Sequence, residues 1–280
     1  MTADPAYTEL PKVGPYDVEI GGALISMVEP HPGTEVAYNR WYEDDHFYSG
    51  ALAMPWMFAG KRYVATRDLQ LLRYPETSII AAPVTAGCYL HLYWITKGRM
   101  EDHVRWTSST NYRLRADDRI HTDRTHIYTS FQEYLGYSSD DKEGPRDIHS
   151  LDYEYPGAVM EIIDAHENVG RAGLDAWLQS DYVPWTQRGP HSPVAMTLRF
   201  APEPLPPDKQ PDVADIPGVD RRVTLIHLLR EDPRIHWMTR FARHGARIEA
   251  GGKGRLELCA PFVAVAHGTN RYVDELRETD

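Results

Sequence analysis

Cysteine is nearly missing from this chain: there are two in 280 residues, Cys88 and Cys259. Each lies in an apolar, strand-like run. Buried free thiols are therefore expected, and neither a disulfide framework nor a zinc cluster is. Positive charge is also scarce. Lys and Arg number 30 against 41 Asp and Glu, a formal net charge of −11. Without a concentrated basic surface, no nucleic-acid partner is expected. No apolar run approaches the roughly 20 residues that span a bilayer, so no membrane partner is expected either. The stretch Met1–Asp17 has acidic and proline residues and no apolar core. It does not read as a signal peptide, and the cytoplasm is the default compartment. Also missing are G-x-G-x-x-G, a P-loop, G-x-S-x-G and H-E-x-x-H.

What is present begins with a repeat. Trp41-Tyr-Glu-Asp-Asp-His46 is echoed by Trp177-Leu-Gln-Ser-Asp-Tyr182. Each run sits in a helical stretch after an apolar strand and before another strand. Shared order implies a duplicated domain. Hydrophobic residues make up 42% of the chain, ample for a sizeable core.

The pattern predicts strands over 17–28, 61–66, 88–96 and 126–133, with helices over 35–53 and 100–119. Thr34 is expected to cap the first helix with its hydroxyl, and Pro55 to mark its exit. The second half predicts strands over 158–165, 194–200, 222–229 and 256–265, with helices over 172–186 and 235–248. Pro202–Pro217 is a proline-dense insertion, too stiff for a helix or central strand. The expected organisation is an N-terminal arm (1–17), a first half (18–135), a linker (136–157) and a second half (158–275). The fold class is α+β: two β-α-β-β-α-β repeats packed sheet to sheet as a barrel with helices outside.

The run Asn39–Tyr48 and the strand motif Gly60-Lys61-Arg62-Tyr63 resemble the dimeric α+β barrel superfamily, EthD-like branch. The resemblance implies ferredoxin-like halves with a pocket between sheet and helices. It covers polyketide cyclases, lactone isomerases, cofactor-free quinone-forming oxygenases, haem proteins and small lyases. Fold alone does not choose among them.

Candidate site residues follow from periodicity. Asn39, Tyr42 and His46 are spaced i, i+3, i+7 on one α-helical face. His46 is unmatched in the second copy, where Tyr182 stands, and an imidazole can take or give a proton near neutral pH. Trp41 and Asp45 recur as Trp177 and Asp181 and read as structural. In the third strand Tyr89, His91 and Tyr93 share a face, and in the fourth His126, Tyr128 and Ser130 do. Arg62 is a candidate for stabilising an oxyanion. His227 and His267 are weaker candidates, more simply satisfied core or strand-end residues. His121, Asp123 and His126 form H-x-D-x-x-H, but strand parity splits them, and no metal is expected. His46, Tyr42 and Arg62 are thus expected to be catalytic, and Asn39, Tyr89, His91, Tyr93 and Tyr128 to bind substrate.

The leading expectation is a cofactor-independent acid–base enzyme on an aromatic, phenolic or polyketide-like small molecule. By resemblance it would be a carbon–carbon lyase, formaldehyde-releasing and of lignin-dimer type, or an isomerase or cyclase. A cofactor-free or haem-assisted monooxygenase is the second reading, and a non-catalytic binder of a hydrophobic metabolite the third. A homodimer is compatible with all three.

Overall fold

The structure is a computed structural model that describes residues 18–278 apart from 55, 190, 191 and 216. The expected N-terminal arm and the helix exit at Pro55 lie outside the described residues. Eight strands form one closed barrel: β1 (Ile20–Pro30), β2 (Met57–Val64), β3 (Tyr89–Thr96), β4 (Arg124–Ser139), β5 (Gly157–Ala165), β6 (Val194–Pro202), β7 (Arg222–Leu229) and β8 (Gly254–Ala264). Their order around the barrel is β1-β3-β2-β8-β5-β7-β6-β4, and every pairing is antiparallel. The expected α+β class and paired ferredoxin-like halves are what the chain forms. The halves also continue edge to edge. β4 pairs with β6 from Gln132↔Pro202 to Ser139↔Met196, and β2 meets β8 at Tyr63↔Ala264 and Val64↔Val263. Closure leaves no long open edge.

Alternation along the strands divides two apolar layers. Ile25, Met27, Leu90, Leu92, Trp94, Met160, Ile162, Leu228 and Phe262 fill the barrel core. Val159, Ile163, Leu225 and Leu229 face the helices of the second half, with Leu174, Leu178 and Ile248 opposite. The helices are α1 (Glu35–Trp41), α2 (Met100–Ala116), α3 (Gly170–Trp177) and α4 (His244–Gly251).

Several expectations change. α1 runs on as a π-helix over Tyr42–Leu52, and α3 as a π-turn over Leu178–Tyr182. The Thr34 hydroxyl does not cap α1; it donates instead to the carbonyls of His31 and Asp123, tying the β1 exit to the approach to β4. β4 extends to Ser139, well into the expected linker. Gly136, at φ +119, lies where the β4–β6 register shifts, a backbone conformation that suits glycine. The expected helix 235–248 is broken into Pro233–His236, a 3-10 turn at Phe241–Arg243, and α4.

Candidate active site

The site grows from the π-helical continuation of α1. A π-helix returns to the same face after five residues rather than four. His46 therefore stacks on Trp41, with ring centroids 4.4 Å apart. Trp177 and Tyr182 repeat the contact in the second half at 5.5 Å. The imidazole fits only because residue 50 is glycine: a Cβ built there would stand 2.4 Å from His46 Nδ1. That nitrogen is shut from solvent and has no hydrogen-bond partner.

His46 lines a cavity of about 110 Å3 between the sheet and the first-half helices. Tyr38, Trp41, Tyr42, His91 and Tyr93 form its aromatic wall, and Ser26, Arg124, His126 and Thr129 its polar one. Tyr42 lies flat on His91, with centroids 4.1 Å apart. Its hydroxyl meets that of Tyr93 at 2.5 Å. One phenol must donate to the other, so the acceptor keeps its own proton for a ligand. Burial pushes Tyr42 up to about 12, against the pull of the Tyr93 hydrogen bond, so both hydroxyls serve as donors.

The charge of the site is Arg124. It packs over Trp41 at 5.1 Å, and its Nε donates to His126 Nε2 at 3.3 Å. His126 Nδ1–H then points to Thr129 Oγ1 at 2.8 Å, and Thr129 meets Ser26 Oγ at 2.7 Å. Burial, aided by the charge of Arg124, holds His46 down at about 3 and His126 at about 4. His91 is likewise driven well below the ordinary range, first by burial and then by Arg62. Near neutral pH the cavity thus holds neutral imidazoles beside the Arg124 guanidinium, whose Nη2 also lies 3.6 Å from the Asp212 carboxylate.

The proline-dense insertion closes the mouth. Leu205, Pro206, Lys209, Gln210 and Val213 come from the second half to line the first-half cavity. Arg115 of α2 fastens them, its Nε bonding to Gln210 Oε1 at 3.2 Å and its Nη2 to Asp212 at 3.0 Å.

Of the expected site residues, the cavity brings together His46, Tyr42, His91 and Tyr93. It leaves out the other four. Arg62 is fully buried behind the wall, sandwiched between the rings of Tyr42 and Tyr89 at 4.6 and 5.0 Å. It pairs with Glu43 at 3.0 Å, so its charge is spent on a buried ion pair and not aimed at a ligand. Asn39 accepts from Arg62 and donates to the Thr269 carbonyl at 2.9 Å, which makes it a brace between α1 and the C-terminal segment. Tyr89 lies one layer back, under Arg62. Tyr128 faces elsewhere because β4 carries a bulge: Met27 pairs with Tyr128 and Val28 with His126, skipping Ile127. The extra residue breaks the expected parity. It turns His126 and Thr129 to the cavity and sends the Tyr128 hydroxyl toward Thr224 and Gln132. Tyr182 is a buried donor to Glu161 Oε2 at 2.8 Å.

No protein-family model matches the chain, and no curated protein matches it by sequence. Solved structures do. An anthrone oxidase-like protein superposes with a TM-score of 0.51 at 8% identity, covering 88% of this chain and 92% of that one. A haem-bound variant of DypB from Rhodococcus jostii RHA1 gives 0.51 at 10%, covering 94% and 97%. The encapsulated DyP-type peroxidase of Mycobacterium smegmatis gives 0.50 at 10%, covering 95% and 98%. At such identities the likeness establishes the fold alone, an α+β barrel of ferredoxin-like halves.

These comparisons correct the lyase expectation: the solved structures that share the barrel over nearly its whole length are an anthrone oxidase-like protein, a haem-bound DypB variant and a DyP-type peroxidase, and none of the three is described as a lyase. The cavity volume of about 110 Å3 lies below the roughly 300 Å3 from which sites for drug-sized ligands start.

Proposed function

We propose that the protein is an oxidase or monooxygenase that uses dioxygen on a single-ring phenol bound in the first-half cavity. The observation that carries the reading is the aromatic cavity in which a neutral imidazole, His46, whose Nδ1 has no hydrogen-bond partner, shares the wall with the guanidinium of Arg124. Size supports the substrate class: a cavity of about 150 Å3 in another protein takes benzene. The oxidative relatives support the reaction class. Within the fold, the W-Y-E-D-D-H and G-K-R-Y motifs support the EthD-like branch.

In this reading His46 takes the phenolic proton as general base. Arg124 holds the developing negative charge, and the Tyr42–Tyr93 pair offers its free hydroxyl to a substrate or oxygen anion. His46 is a weak base in the vacant cavity, yet a phenolate formed beside it raises its proton affinity. Both charges therefore have to form together in the closed site. The electron-rich phenolate then reduces dioxygen. One oxygen atom enters the ring. The displaced ring hydrogen and the phenolic proton leave with the other oxygen atom as water, giving a quinone.

Haem, which the DypB variant holds, does not fit the residues here. His46 supplies an orphaned nitrogen, but the cavity is several-fold too small for a macrocycle, and Gly50 backbone closes on that nitrogen. An oxygen electrode tests the proposal with a panel of single-ring phenols. Uptake that falls by about 100-fold or more in His46→Ala is expected. Equal rates in both proteins would refute the role of the imidazole.

A further inference from the structure

The second half holds a polar cluster that the proposed reaction does not use. Glu161 on β5, His227 on β7 and His244 at the start of α4 are all buried, with one ligand-capable atom from each within 4.8 Å of the others. Glu161 Oε2 meets His227 Nε2 at 2.9 Å, and Oε1 meets His244 Nδ1 at 2.7 Å. Cys259 on β8 brings its thiol to 3.6 Å from Oε1. Glu161, His227 and His244 come from three separate elements and converge on one point, with the Cys259 thiol beside Glu161.

This cluster is the second copy's counterpart of the cavity. The interval from His46 to Tyr182 is also the interval from His91 to His227. In the first half this layer of the molecule is hollow. In the second it is filled with nitrogen, oxygen and sulfur donors.

We propose that Glu161, His227 and His244 bind a divalent first-row transition ion, zinc foremost. The donor set suits it: imidazole and carboxylate are ligands that zinc takes. The three donor atoms lie within 4.8 Å of one another, and those of a tetrahedral ion with bonds of about 2.0–2.2 Å lie about 3.3–3.6 Å apart, so the side chains draw in around the ion. An outer layer is in place. Thr197 Oγ1 sits 2.8 Å from His227 Nδ1 and can accept its proton when Nε2 turns to a metal, while Tyr182 donates to Glu161 Oε2 at 2.8 Å.

Charge is the strongest argument. Glu161 is fully buried, and among the described residues no lysine or arginine pairs with it. A buried carboxylate needs a cation. A divalent ion held by Glu161 supplies one, with both imidazoles as neutral ligands.

The test uses the tag-free full-length chain. Elemental analysis of the protein as purified is expected to find about one zinc, or another first-row ion, per chain. After chelation, cobalt(II) titration is expected to give visible ligand-field bands of tetrahedral strength. His227→Ala and His244→Ala would lose the metal, whereas Cys259→Ser would keep it. Sub-stoichiometric metal together with no cobalt spectrum from the wild-type chain would overturn the site and leave a proton-shared network. Metal retained at full stoichiometry in folded His227→Ala and His244→Ala would overturn it as well. If those variants do not fold, the wild-type cobalt spectrum decides alone, since a weak six-oxygen spectrum contradicts the proposed ligands.

Discussion

Gly50→Ala is the smallest change that should disable the candidate active site. The added Cβ would fall 2.4 Å from His46 Nδ1 and 2.5 Å from Cε1, whereas carbon-type contacts settle at about 3.5 Å or more. The ring must retreat by about 1 Å, and Trp41, stacked 4.4 Å away, limits its options. Overpacking of this kind costs about 1–3 kcal/mol. Replacing a helical glycine by alanine returns up to about 1 kcal/mol. The net loss of stability is therefore about 3 kcal/mol or less, and the protein should remain folded. Catalysis is less forgiving, since a misplacement of about 1 Å can cost about 100-fold in rate. The assay pairs a thermal melt with initial rates of oxygen uptake. A modest fall in Tm with a loss of about 100-fold in turnover is expected. Wild-type turnover from a folded Gly50→Ala protein would show that the position of the His46 ring does not matter to the reaction.

The pH profile gives a second check. His46 is held down to about 3, so it stays in its basic form from neutral pH to about pH 5. kcat/KM should show no acid limb from His46 in that window. A histidine at its ordinary value would lose about thirtyfold of its basic form by pH 5. An acid limb near 6.5 that disappears in His46→Gln would contradict the buried, neutral state. Arg62 offers the opposite contrast. Arg62→Leu takes one of two arginines from the buried Glu43 carboxylate, which keeps Arg40 at 2.6 Å, and should cost about 1–3 kcal/mol in denaturant melts. If Arg62→Leu instead melted like the wild type while turnover collapsed, the assignment of Arg62 to structure would be wrong.

The architecture was legible because it rests on period. Alternating strands, helical stripes and the Trp41/Trp177 echo fixed the order of elements and the α+β class. His46, Tyr42, His91 and Tyr93 were legible for the same reason: an imidazole or phenol recurring on a face otherwise suited to core stands out. What escaped was every local break in period. The π-helix after Trp41 moves His46 onto the indole, which an α-helical count assigns to another face. The bulge at Ile127 exchanges Tyr128 for Thr129 at the cavity. Arg124 lies within the H-x-D-x-x-H run but carries no spacing signal of its own. The lid residues Leu205–Val213 reach the first half only through the closed barrel, a tertiary fact that proline content does not encode. Glu161, His227 and His244 are too far apart in the chain for any ligand-spacing motif to link them.

The central claim is that dioxygen reacts in the first-half cavity with a phenol whose proton His46 has taken. Mass spectrometry of the product formed under isotopically heavy dioxygen tests it most directly. The account predicts one heavy oxygen atom in the quinone formed by the wild type, the other in water, and almost no labelled product from His46→Ala. A product carrying only oxygen from water, or a carbon–carbon cleavage product formed without oxygen uptake, would contradict it.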